Sequence, residues 1–588
     1  MFKALGECRW RLAGIVLCTA FFVWAGSRQL IAQESTTDAP ASSETTGGDA
    51  AATEPTEVIV VEVEPVNVPP YFSGTSPDAE KPLWPDATGA AAGTWATPSG
   101  DGKGDVPSSL SAADVFDRVA HNVFSINMCW TLITGAMVMF MQAGFSMVEG
   151  GLSRQKNACH TWSMNFMIYP LGGLGFWIYG FALGWGNWFN GPVPPVGWYA
   201  SLGPGLAVLD QGIGIETPDP AKPTVFKYGL LGTKGFFLNG VDDVSVMALF
   251  FFMMVFMDTT ATIPTGAMAE RWHWWNFVLY GFWVALPYCI YANWVWGGGW
   301  LAQAGLNWNL GHGAVDFAGS GVVHGMGGII SLAGCIVLGP RIGKYINGKP
   351  QALPGHNIPM VVIGTFILAF GWFGFNPGST LSGTDLRIST IFVNTMLSSF
   401  TGALAAMCFL KLLGLRPDPS MMCNGMLAGL VAITAPCAFV DSAFAALIGA
   451  VAGVLCVLSV FTLDRLGVDD VVGAISVHGT NGIWGVLSLG LFANGKYGGG
   501  WNGVVREKWT ENGASDGVRG LFFGDPSQFM AQLLDAGVLI VFGFLMAFVW
   551  FKISNLIVPI RVSKEVELEG LDMPEMGAQA YPDFALNK

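Results

Sequence analysis

The heptapeptide Val-His-Gly-x-x-Gly-Ile occurs twice, at positions 323–329 and 477–483, and each copy opens a stretch apolar enough to cross a membrane. His324 and His478 are therefore expected in hydrocarbon, where an ionisable side chain is costly and marks a site by default. A neutral imidazole has one donor and one acceptor nitrogen. Two of them in contact can share a hydrogen bond, take up a proton and pass it on. Two copies in corresponding places imply two structural halves whose interrupted segments meet near the bilayer midplane. The seven histidines give no HExxH or Cys-His metal spacing. Of ten cysteines, Cys8 and Cys18 fall in a leader, and the other eight, in or beside apolar runs, read as small buried hydrophobes. No cofactor and no enzymatic chemistry is expected.

The elements that must hold these histidines are apolar. The chain is 52% hydrophobic and 12% charged, about half the charged fraction usual for a soluble domain. Runs of about 17–25 apolar residues predict eleven spans, at 122–145, 162–185, 244–267, 275–296, 320–338, 358–374, 388–410, 423–438, 442–463, 472–491 and 533–551. This is an all-α polytopic membrane protein.

Residues 1–33 read as a signal peptide: Lys3, Arg9 and Arg11 precede an apolar run, and Ile31-Ala32-Gln33 resembles a cleavage site. Residues 34–115 are expected to be a disordered, acidic extracytoplasmic extension. Between Glu34 and Val106 stand thirteen Asp and Glu against two Lys, which accounts for most of the formal charge of −14. The membrane domain is expected over 116–558 and a tail over 559–588. No basic patch points to nucleic acid. Arg154, Lys156, Arg271, Arg341, Lys344, Lys349, Lys411, Arg416, Arg465, Lys552, Arg561 and Lys564 fall in alternate connections. The positive-inside rule makes that side cytoplasmic. The mature N-terminus is then outside a cell membrane and the tail inside, with long outer loops at 186–243 and 492–532.

Around the histidines the chain carries Gly150-Gly151-x-x-Arg154-x-Lys156-Asn157, Gly266-Ala267-Met268-Ala269-Glu270-Arg271, Trp296-Gly297-Gly298-Gly299, Asp316 eight residues before His324, Gly371-Trp372-Phe373-Gly374-Phe375-Asn376-Pro377-Gly378-Ser379, and Glu569-Gly570-Leu571-Asp572. In combination these resemble the ammonium transporter (Amt/Mep/Rh) family, on its Amt side, from about Asn122 through Tyr581. The resemblance implies an eleven-helix protomer with a 5+5 inverted repeat, a homotrimer, and one conduction path per subunit. It further implies that Trp296, Phe256 and Ser379 recruit the cation, Phe256 and Phe375 form a stacked gate, His324 and His478 line the pore, and Asp316 is a buried acid near the entrance. Ammonium and methylammonium would be the substrates, and a PII-type signalling protein a partner at the cytoplasmic face. A non-conducting sensor of the same fold is the alternative.

Each role has a chemical rationale. Ammonium has a full charge and four donors, so an aromatic face can replace part of its hydration, while Ser379 can accept a hydrogen bond from one of its N–H groups and Asp316 is also a natural helix cap. A bare cation pays heavily to enter a dry apolar pore. Ammonia pays less, and potassium has no proton to surrender. The chain departs from the family pattern at Asn424 and Gly473, where Ser and Asp are more usual, and at Gly577-Ala578 in the tail.

Overall fold

Helices form where apolar runs meet strong start signals. In the computed structural model, α1 spans Ala112–Leu152, α2 Gln155–Trp185, α3 Val244–Ala267, α4 Trp274–Val295, α5 Ser320–Leu338, α6 Ile358–Phe375, α7 Ile388–Leu412, α8 Pro419–Ile433, α9 Ser442–Leu466, and α11 Pro526–Ile557. The tenth helix, α10, is a π-helical turn at Ile475–Thr480 running directly into Asn481–Phe492. Asn357, Asp418 and Asp525 cap α6, α8 and α11, each with Pro in the first turn, where its missing N–H costs nothing. The residues described are 112–185, 212–216, 226–241, 244–505 and 517–582, all within Pro70–Lys588. The leader, nearly all of the acidic extension, and much of the loop at 186–243 lie outside them.

A helix stands at each of the eleven expected positions, and nine among the described residues are long and apolar enough to cross a membrane. The boundaries differ from expectation most at four of them, of which the second begins at Gln155 rather than 162. The first begins at Ala112, inside the stretch assigned to the extension, and runs on to Leu152. The last covers Pro526–Ile557 rather than 533–551, and the eighth starts at its Asp418 cap and stops at Ile433. Hydropathy reads the hydrocarbon thickness, whereas the helix continues through polar turns on either side. The cysteines also divide: Cys289, Cys335, Cys423, Cys437 and Cys456 are buried, but Cys129 and Cys408 are exposed. Both lie on helix faces that carry exposed apolar neighbours such as Ile133 and Leu404.

The two halves meet at α5 and α10 through their repeated glycines. A Cβ on Gly328 would lie 2.1 Å from the Gly479 nitrogen, and one on Gly482 would lie 2.6 Å from the Gly325 nitrogen. The first Gly of each HGxxG thus packs on the second Gly of the other, a reciprocal contact that only backbone can make. This close crossing carries the two histidines toward each other. The apolar windows of α3 and α5 are each 83% buried, and a two-stranded hairpin packs against the end of α4. Its strands β1, Gly212–Glu216, and β2, Phe226–Gly232, are antiparallel, and Gly229 and Leu230 carbonyls accept the Trp300 N–H and the Trp294 indole, at 2.9 and 2.8 Å.

On the opposite side the loops are tied by charge. The Arg341 guanidinium forms two bonds to the Asp469 carboxylate and one to Glu270, all at 2.9 Å, the Arg341 backbone N–H adds a third to Asp469 at 2.8 Å, and Arg154 also pairs with Glu270. Arg271 and Arg341 hold the Asp469 carboxyl well below the usual range even though its burial works the other way. The tail joins this cluster: Glu567 accepts the Ile342 N–H and pairs with Arg561, while Asp572 accepts the Cys159 and His160 N–H groups.

Candidate functional site

A column of buried rings runs through the protein where α3, α5, α6 and α10 converge. Trp296, immediately after α4, meets Phe256 edge-on at 6.2 Å. Phe256 stacks on Phe375 with centroids 4.0 Å apart and planes 16° apart. Phe375 lies 5.2 Å from His324, which lies 5.2 Å from His478, which in turn faces Phe145 at 6.1 Å. All are buried.

Each ring is fixed by its own element. The indole of Trp296 donates to the Asp316 carbonyl at 2.7 Å. Phe252, one turn before Phe256, packs on it at 4.6 Å. Phe375 is the last residue of α6, because Pro377 turns the chain into the short 3-10 segment Pro377–Thr380. Ser379 in that segment donates its hydroxyl to the Phe375 carbonyl at 2.7 Å, which leaves its oxygen lone pairs for a donor.

The two imidazoles approach Nδ1 to Nδ1 at 3.2 Å, within hydrogen-bond distance if one nitrogen donates and the other accepts. Both histidines sit in π-helical turns, Ser320–Gly325 and Ile475–Thr480, a local widening that recurs at functional positions. His324 is further held by Trp372, stacked at 4.9 Å, whose indole donates to Thr434 at 2.9 Å. Among the described residues the buried Nε2 of His324 has no hydrogen-bond partner, a polar atom costly to leave without a ligand.

The carboxylate of Asp316 is spent on the backbone. It accepts the N–H groups of Gly319, Ser320, Gly321 and Val322 at 2.8–3.0 Å, and burial raises its pKa against those four bonds. Asp470 does the same for the other half, accepting from Gly473, Ala474 and Ile475 at 3.1, 3.0 and 2.7 Å, with burial pushing it up to about 6. Each aspartate stands eight residues before its histidine and three before a glycine at positive φ, Gly319 at 105° and Gly473 at 82°. The repeat is thus Asp-x-x-Gly-x-x-x-Val-His-Gly-x-x-Gly-Ile, twice the length first read. Asp470, Trp372 and Phe145 are site residues without a role assigned from the sequence; the first was signalled by this spacing, the others only by packing.

A sequence model described as the Ammonium Transporter Family matches residues 129–581. The chain belongs to the ammonium transporter family. It is 44% identical over 465 residues to ammonium transporter Amt2 of Archaeoglobus fulgidus, covering 78% of this chain and 89% of that one. It is 31% identical to the ammonium transporter of Bacillus subtilis, covering 76% and 96%. Among solved structures, a sensor Amt protein is similar at 30% identity and a TM-score of 0.63, covering 77% of this chain and 99% of that one. Candida albicans Mep2 is similar at 25% identity and a TM-score of 0.59, covering 75% and 87%. The Amt-type fold, a multi-pass membrane protein of apolar helices, therefore accounts for the chain from the first span into the tail.

Proposed function

We propose that this protein conducts ammonium nitrogen across a cell membrane. Ammonium is recruited at Trp296, Phe256 and Ser379, loses its proton on passing the Phe256–Phe375 stack, and crosses as ammonia beside His324 and His478, which relay the proton. The observation that carries this reading is the Nδ1–Nδ1 contact of 3.2 Å between two buried imidazoles, directly beneath a closed pair of phenyl rings. Along the column the lining is buried rings, polar only at the imidazole nitrogens and the Trp296 indole. A bare potassium ion would pay its desolvation there without recompense, whereas ammonia can hydrogen-bond along it.

The same reading puts the loop side carrying Arg154, Arg341 and the tail in the cytoplasm and the hairpin β1–β2 outside, with residues 1–33 as a signal peptide and 34–115 as an acidic outer extension ahead of the membrane domain 116–558. It takes the assembly as a homotrimer in the bilayer, methylammonium as a second substrate, and a PII-type protein as a partner of the tail 559–588. A second reading, a sensor that binds ammonium without conducting it, is favoured by one observation, the likeness to a solved structure named a sensor Amt protein. Purified protein in oriented proteoliposomes separates the two. Conduction gives an inward current on an ammonium or methylammonium gradient and none on a potassium gradient; binding with no flux would leave only the sensor.

A further inference from the structure

Glu149, three residues before the end of α1, is another buried ionisable residue of a spanning helix, 2% exposed, and the path above does not use it. Its Oε2 accepts from the Asn165 amide at 2.6 Å and the Thr265 hydroxyl at 2.8 Å. Among the described residues it forms no ion pair; Arg154, five positions on, is committed to Glu270. Gly266 makes room for the carboxyl, since a Cβ there would lie 2.8 Å from its Cδ and Oε1. A buried acid held by neutral donors alone can exchange a proton without breaking a charge pair.

What it faces is a small cavity of about 20 Å³, lined by both Glu149 and His478 together with Phe145, Val148 and Ile263. That is room for about one molecule the size of water or ammonia. Asn424 and Val472 also line this chamber, and both line a larger cavity of about 140 Å³ that holds Asp470, Asp464, Arg341 and Lys344. The Asn424 amide donates to the Val472 carbonyl at 2.9 Å, so these two residues form a thin wall between chamber and charged vestibule. Asn424, where Ser is more usual in the family pattern, thus has a place in the path.

We propose that Glu149 is the proton-accepting end of the path on the tail side, a role that rests on the conduction reading. Protonated His478 gives its proton through the one molecule in the chamber to the Glu149 carboxylate and returns to neutral imidazole. The resulting carboxylic acid then gives the proton to an ammonia molecule in the chamber, which leaves past Asn424 and Val472 into the vestibule as ammonium and restores the carboxylate.

The test measures ammonium-driven current and neutral ammonia permeation in the same proteoliposomes. Glu149→Gln, which keeps the carbonyl that accepts from Asn165 and Thr265, is expected to cut the current about a hundredfold or more, the range of general acid–base contributions, while ammonia still permeates. Glu149→Asp keeps a carboxyl and is expected to retain current. Full current in E149Q, or current and permeation lost together in both variants, would overturn the role. Should E149Q not assemble, carbodiimide treatment of the unsubstituted protein decides: modification at Glu149 that stops current but not ammonia supports it, and full current after treatment overturns it. A silent unsubstituted protein would instead overturn the conduction reading itself.

Discussion

Trp296 and Ser379 acquire their geometry from backbone rather than from each other. The indole is oriented by the Asp316 carbonyl and the hydroxyl by the Phe375 carbonyl. On the proposed function, the first offers a π face to a cation and the second an oxygen lone pair to its N–H. Trp296→Leu with Ser379→Ala should therefore weaken half-saturation for methylammonium by up to about 2 kcal/mol, with a smaller fall in maximal flux. Concentration dependence of uptake reads this directly, and an unchanged half-saturation would remove the recruitment site. Asp316 plays its part through Trp296 and through four backbone N–H groups, so its carboxylate acts on the column by fixing where α5 begins.

At the scale of helices, the repeated motif does two jobs with one spacing. The histidine faces its partner, and the glycines one and four residues later let α5 and α10 touch backbone to backbone. Gly328→Ala would push a methyl to within 2.1 Å of the Gly479 nitrogen, a clash no side-chain rotation relieves. We expect it to lower stability by at least about 1–3 kcal/mol, the range for overpacking, and to separate the imidazoles; thermal unfolding in detergent measures the first and loss of current the second. Off the column, Asp469 pins the loops between α5 and α6 and between α9 and α10 through Arg341. Among the described residues, Asp469→Ala leaves the buried Arg341 with Glu270 as its one ion-pair partner and should cost about 3–5 kcal/mol. The native carboxyl titrates below its unfolded value. Its contribution is therefore fully present above about pH 4 and is lost as pH falls below that. Melting temperature against pH should show this acid limb in the unsubstituted protein and a flatter one in Asp469→Asn.

Across the whole molecule, the tail ties the loops on its side together rather than standing apart. Lys156 donates to the Glu567 and Leu568 carbonyls, Asn157 accepts the Leu571 N–H, and Glu575 accepts the Trp274 N–H. Removing 561–588 frees the start of α2 and the α5–α6 loop at once, so transport should fall while the assembly persists; uptake and size-exclusion of the truncated protein check both. Much of this architecture was legible in the chain. Apolar length placed a helix at every expected position, and the doubled Val-His-Gly-x-x-Gly-Ile brought His324 and His478 together because reciprocal Gly contacts admit one crossing. Helix ends were legible only in part, since Asp418 and Asp525 cap turns that lie beyond the apolar runs. Glu149 and Trp372 were not, because burial beside a histidine depends on which helices pack together and leaves no spacing signal in either segment.

The account turns on the histidine pair acting as one element. The double-mutant cycle of His324→Ala and His478→Ala, read as ammonium-driven and potassium-driven current in oriented proteoliposomes, tests it most directly. Each single variant should abolish ammonium current or open a leak to potassium, and the double variant should be little worse than either, the non-additivity expected of a shared element. Mild, strictly additive losses with potassium still excluded would contradict the account.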